Sequence, residues 1–202
     1  MPRKRSLTTD QLAAAALAVV DRDGLAMLTM RAVAQELNMG TMSLYRYVSD
    51  REQLERLVVE LVLGGVDFTV PDLPTWQERI AALCERIRLA VHAHPAMVPL
   101  LLVHRHASPG VRRSGEAMLS VLAGAGFSGE RRVIAFRALV SYLIGALQAE
   151  GLGPLSGAGT DVLATLGEQH PHLAETAVSA RDVSPQREFG EGLALLLRGL
   201  TA

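Results

Sequence analysis

Between Thr29 and Val48 the chain has room for two short helices joined by one tight turn. The Thr29 hydroxyl can cap a helix over Met30–Leu37, because a side-chain oxygen there accepts from an otherwise unpaired backbone N–H. Asn38 then stands where an inter-helix turn needs left-handed backbone, which Asn tolerates better than most residues. A second short helix is predicted over Thr41–Val48. Ala34 is small where this helix must cross, and Val33, Leu37, Met39 and Leu44 supply the apolar contacts that fix the crossing. With a preceding helix predicted from about Thr8 to Asp23, the pattern is a three-helix unit containing a helix-turn-helix. Its last helix projects its first residues outward, in position to enter a DNA major groove. A tri-helical module with no DNA role is the plain alternative. Against it stands the outer face, where Thr41, Ser43, Tyr45, Arg46 and Tyr47 crowd hydroxyls, rings and a guanidinium onto one short surface.

The rest of the chain reads as helices too. In helix 1, Leu12, Ala15, Ala16 and Val19 share a face, and Gly24 ends it. Ser49-Asp50 is the next N-cap, with Glu52 and Gln53 placed for first-turn contacts, and Leu54, Leu57, Val58, Leu61 and Val62 form the stripe that follows. Further stripes run through Trp76, Ile80, Leu83, Ile87 and Val91, then Met97–Val103, then Pro109–Ala123. A long helix from Ser128 to about Glu150 is apolar on two faces, Val133, Phe136, Val140 and Leu147 on one, Ile134, Leu139 and Leu143 on the other. Residues 151–159 read as a Gly-rich loop, and 160–184 as one short helix with a mobile remainder. Pro185 opens a last helix carrying Phe189, Leu193, Leu196, Leu197 and Leu200. Apolar residues make up 49% of the chain but aromatics only 4%, and Ala and Leu lose little rotamer freedom in helices. Strand and hairpin signals are weak. The expected fold class is all-α, with a helix-turn-helix domain over 1–52, a linking helix to about 66, and a second helical domain over 53–202.

Three segments together are specific. Leu28-Thr29-Met30-Arg31-Ala32-Val33-Ala34-Gln35-Glu36-Leu37, Ser43-Leu44-Tyr45-Arg46-Tyr47-Val48 and Arg51-Glu52-Gln53-Leu54 resemble the DNA-binding domain of TetR-type transcriptional regulators. More loosely, His94-Pro95, Gly126-Phe127-Ser128, Tyr142 with Gly145, and Phe189 with Leu193 to Leu200 resemble the regulatory domain of the tetracycline-repressor subgroup. The resemblance implies a DNA-contact set of Thr29, Met30, Arg31, Thr41, Met42, Ser43, Tyr45, Arg46, Tyr47 and Arg51. Within it, Thr29, Tyr47 and Arg51 match phosphate contacts, and Arg31 matches a base-reading position from which an arginine can bond guanine O6 and N7. Met42 and the Thr41 methyl are placed to meet a thymine methyl. It also assigns effector binding and dimerisation to the domain over 53–202, and implies a homodimer through helices about 130–150 and 186–200, binding a palindromic double-stranded operator and released by a small-molecule effector. Leu83, Ile87 and Leu101 stand where the tetracycline repressor uses polar and metal-linked groups, and His104 falls near a ligand-contacting position. The expected effector is therefore largely apolar rather than a tetracycline–magnesium complex, and His104 itself reads as an exposed helix-end residue.

Charge and chemistry narrow the rest. The net charge of −1 leaves DNA attraction to a local patch rather than to the whole molecule. Arg3-Lys4-Arg5 reads either as an arm for phosphates or a minor groove, or as a solubilising tail. Cys84, the single cysteine, offers no disulfide and reads as a core thiol. His92/His94 and His104/His106 are i, i+2 pairs whose rings point apart on a helix, so no metal or cofactor is expected. No Ser/His/Asp set, phosphate-cradling loop or paired acid supports an enzyme. An activator or partner-controlled regulator would share the same DNA-binding domain. No signal-peptide core follows Met1 and no run of about 18 uninterrupted apolar residues occurs, so the expected location is the cytoplasm, away from membranes.

Overall fold

Side-chain caps set where the first helices begin. α1 (Thr9–Asp23) opens on a reciprocal capping box in which Thr8 Oγ1 accepts from Gln11 N at 3.2 Å and Gln11 Oε1 accepts from Thr8 N at 3.0 Å. It ends at Gly24, φ 85°, and a single 3-10 turn (Leu25–Met27) leads to α2 (Met30–Glu36). Thr29 caps α2 as expected, accepting from Ala32 N at 3.1 Å. α3 (Thr41–Leu44) follows, and then α4 (Arg51–Leu63), capped by Asp50 on Gln53 N at 2.8 Å. The computed structural model describes residues 7–151 and 157–201. Among these the remaining helices are α5 (Trp76–Val91), α6 (Val98–Val103), α7 (Pro109–Gly124), α8 (Gly129–Gly151), α9 (Ala158–Ala164), α10 (Pro171–Ala180) and α11 (Pro185–Gly199), with no strand among the described residues. The all-α class is therefore borne out.

By contact the chain forms two compact units: the described residues up to Val70 with Glu85–Met118, and Pro71–Cys84 with the described residues from Leu119 on. In the first, α1 packs on α2 and α4, α2 on α3, and α4 on α6. Its centre is Ala16, Val19, Val20, Leu28, Val33, Leu44, Leu54 and Val58, none more than marginally exposed. In the second, α8 packs on α11 and α9 on α10. Ala135, Leu139, Leu143 and Leu147 of α8 are buried, as are Phe189, Leu193 and Leu197 of α11. Tyr142 joins the two helices by donating its hydroxyl to the Phe189 carbonyl at 2.7 Å, and Trp76 meets Phe127 edge to face at 5.3 Å.

Several local expectations change. α3 is one turn long rather than reaching Val48, and Tyr45–Tyr47 continue as hydrogen-bonded turns. On α4 the buried stripe is Leu54, Val58, Val59 and Leu63, while Leu61 is exposed, because the helix turns Val59 rather than Leu61 inward. The weakly patterned stretch 160–184 holds two helices, α9 and α10, and α8 extends to Gly151. Residues 152–156 of the predicted 151–159 loop lie outside the described residues, as does all of Arg3-Lys4-Arg5, and Ala158 and Gly159 already belong to α9. On α8 neither predicted apolar face is buried along its whole length: Val133 of one and Ile134 of the other are 47% and 57% exposed near the start, while Leu147 of the first and Leu139 and Leu143 of the second are buried. By length and composition α8 could cross a membrane, with a mean hydropathy of 1.4. Its buried residues pack on α11.

Candidate functional site

The turn between α2 and α3 is built by backbone geometry that only a few residues allow. Asn38 has φ 51°, the one positive value outside glycine among the described residues. Asn38 N donates to Gln35 O at 3.0 Å and Met39 N to Ala34 O at 2.9 Å, the paired bonds of a Schellman turn. Ala34 beneath it is 1% exposed, so the crossing leaves no space for a larger side chain. Leu44 and Val48, at 0% and 2%, anchor the far end.

That anchoring leaves one face outward. Met42 is 80% exposed at the tip of α3, and Tyr45 and Tyr47 follow at 49% and 41%. Ser43, Arg46 and Arg31 are exposed as well, and Thr41 is half-buried. Thr29 is exposed but its hydroxyl is already committed to capping α2. Met30 departs from expectation: its side chain is buried at the foot of α2, which removes it from any surface contact.

Arg51 is held rather than loose. Its Nε donates to Glu55 Oε1 at 2.8 Å and its Nη2 to the Leu25 carbonyl at 3.1 Å, which ties the start of α4 to the connection between α1 and α2. The other carboxylate oxygen of Glu55 lies 2.9 Å from His104 Nε2. His104 ends α6 and is 1% exposed, so the expected exposed helix-end histidine is in fact buried, because Glu55 reaches it from α4. One helical turn on, Glu60 Oε2 accepts from Ser108 Oγ and Gly110 N, both at 2.9 Å, and so caps the first turn of α7. His94 Nδ1 sits 2.8 Å from Asp21 Oδ2 on α1. Neither glutamate stood out in the sequence; the available signal was an acid directly beside the apolar stripe of α4, at i+4 from Arg51.

Of the implied ligand positions, Ile87, Leu101 and His104 lie in the first unit and Leu83 in the second, and all four are buried. Among the described residues no group of three or more His, Cys, Asp or Glu side chains is arranged to hold a metal.

The family described as "Tetracyclin repressor-like, C-terminal domain" matches residues 70–202. The chain belongs to the TetR family of transcriptional regulators. An HTH-type transcriptional regulator of Saccharopolyspora erythraea is 34% identical over 75% of this chain and 66% of its own length, so the match spans just under two thirds of that relative. The class E tetracycline repressor protein of Escherichia coli is 30% identical over 71% of this chain and 69% of its own. The crystal structure of the Streptomyces coelicolor TetR family protein ActR in complex with (S)-DNPA superposes with a TM-score of 0.81 at 26% identity, covering 98% of both chains. In this family an N-terminal helix-turn-helix precedes a helical C-terminal domain, the order in which α1–α3 and the later helices occur here.

Proposed function

We propose that this TetR-family chain is a homodimeric repressor that binds a palindromic double-stranded operator and is released by a small, largely apolar effector. The observation that carries the DNA half is the outward face of α3 and its turn, with Met42, Ser43, Tyr45, Arg46 and Tyr47 exposed around a buried Leu44. Residues 1–52 would read DNA; 53–202 would bind effector and dimerise, with α4 as the link. Arg31 and Thr41–Ser43 are the base readers, Tyr47 and Arg51 the phosphate contacts, and Thr29 chiefly holds α2 in place.

Support for the dimer comes from α8 and α11. Val133, Ile134 and Leu195 remain exposed on these two helices, Leu195 at 64%. Between them lies a cleft of about 430 Å³ lined by Gly145, Ala146, Ala149 and Gly192 with Tyr142 and Phe189. Small residues of this kind let a second pair of helices approach closely and form a four-helix bundle. Support for the effector comes from the ligand complex of ActR and from the apolar character of Leu83, Ile87 and Leu101. An effector of this sort acts only through unequal affinity for the DNA-binding and released states.

Selection of duplexes from a random DNA library by the purified protein tests the reading. The expected product is a palindrome whose half-sites are centred roughly 34–36 Å apart or slightly more, bound in a salt-sensitive way. Recovery of no common sequence would refute it, and derepression in a deletion strain distinguishes repressor from activator.

A further inference from the structure

Resting on the proposed operator binding, we infer that Glu55 is a positioning residue through which His104, at the end of α6, sets how firmly Arg51 is held back from DNA phosphate. The carboxylate stands between two nitrogen groups. Oε1 takes Arg51 Nε at 2.8 Å and Oε2 faces His104 Nε2 at 2.9 Å. The Glu55 and His104 side chains are 14% and 2% exposed, so water competes poorly for either oxygen. Arg51 continues the chain of contacts to the Leu25 carbonyl, just ahead of the helix that carries Arg31. Three polar contacts therefore run from the end of α6 to the start of the reader.

An i, i+4 Arg–Glu pair on an open helix face contributes little and needs no third partner. Here the third partner changes the balance. A carboxylate with little access to water, deprived of one hydrogen-bond donor, leans harder on the other, because charge-assisted bonds in a poorly solvated setting strengthen as competitors are removed. While His104 satisfies Oε2, Arg51 is shared between Glu55 and the solvent side, where a phosphate would stand. When His104 withdraws, Glu55 draws the guanidinium inward and the phosphate loses it. Loss of the His104 contact is in this way converted into a change in one cationic contact.

The test is a double-mutant cycle read on the palindrome selected above. His104→Leu should weaken binding by about three- to tenfold. It should also lower the slope of log affinity against log salt by about one phosphate contact. His104→Gln, which restores a side-chain N–H, should recover most of that loss. Glu55→Gln should bind at least as well as the wild type, and in its background His104→Leu should change affinity less than about twofold. Thermal unfolding of each variant separates loss of fold from loss of coupling, since a purely structural histidine would lower the melting temperature without moving the salt slope. Equal effects of His104→Leu in both backgrounds, or an unchanged salt slope, would overturn the inference while leaving the operator-binding reading intact. If the wild type binds no duplex at all, the proposed function fails first and takes the inference with it.

Discussion

Arg31 and Arg51 bring the same charge to the same small unit, yet their surroundings give them different work. Arg31 is exposed early in α2, whereas Arg51 is fastened to Glu55 and to the Leu25 carbonyl. Replacing Arg31 by Ala should cost about 1–3 kcal/mol at one base position and relax preference there, as competition among single-base operator variants would show. Replacing Arg51 by Ala should weaken every duplex alike and reduce the salt slope by about one. Asp50 gives a pH prediction. Its hydrogen bonds from the Gln53 N–H and then the Ser49 hydroxyl hold its carboxyl below the usual range. The folded state thus takes up this proton less readily than the unfolded chain. The cap's ionic contribution is complete above the ordinary aspartate value of about 3.9 and fades as the pH falls through the lower folded value. Melting temperatures of wild type and Asp50→Asn should therefore converge on acidification, and a gap that stays constant below about pH 4 would contradict this. Residues such as Asp50 and Thr8 were legible in the sequence because a cap and its partner lie three positions apart. His104 was not, since the carboxylate that buries it is 49 positions away.

At the level of elements, legibility followed the strength of local signals. Asn38, Gly24 and the caps at Thr8, Thr29 and Asp50 placed the first four helices, because turn and cap chemistry acts over a few residues. The end of α3 was missed: Tyr45–Tyr47 have no breaker among them, yet Arg46 N donates to Ser43 O and Tyr47 N to Leu44 O, three-residue turns in place of a continued helix. Of the two helices within 158–180 only one short helix was expected, and the second was missed for a related reason. Of their residues only Ala174 and Ala177 are buried, so no apolar stripe announces them. The α2–α3 crossing gives the sharpest element-scale prediction. Ala34→Leu adds volume at a position 1% exposed, where overpacking typically costs about 1–3 kcal/mol. Because the added bulk also tilts α3, DNA affinity should fall further than the loss of stability explains. A variant that melts lower but binds as the wild type does would show that the crossing tolerates repacking.

For the whole molecule, a short reader and a weak net charge point the same way. A recognition helix of one turn presents few base contacts, and a chain of net charge −1 gains little from general attraction to DNA. Two copies bound at once make the second contact nearly intramolecular, which multiplies affinity without any new side chain. Operator binding should then depend steeply on the α8–α11 face. Leu195, 64% exposed on α11, is the residue to change. In the proposed twofold interface each residue would appear twice, so burying this leucine would contribute about 3–6 kcal/mol per dimer at about 1.5–3 per side chain. Leu195→Glu should accordingly raise the dimer dissociation constant by about two to four orders of magnitude, before the cost of burying charge is counted. Sedimentation at micromolar concentration should find a monomer with unchanged helical circular dichroism. Half-site binding should persist weakly while full-site affinity collapses toward it. If the variant sediments as the wild type does, the exposed apolar face of α11 serves some other contact, and the palindromic reading would need a different dimer.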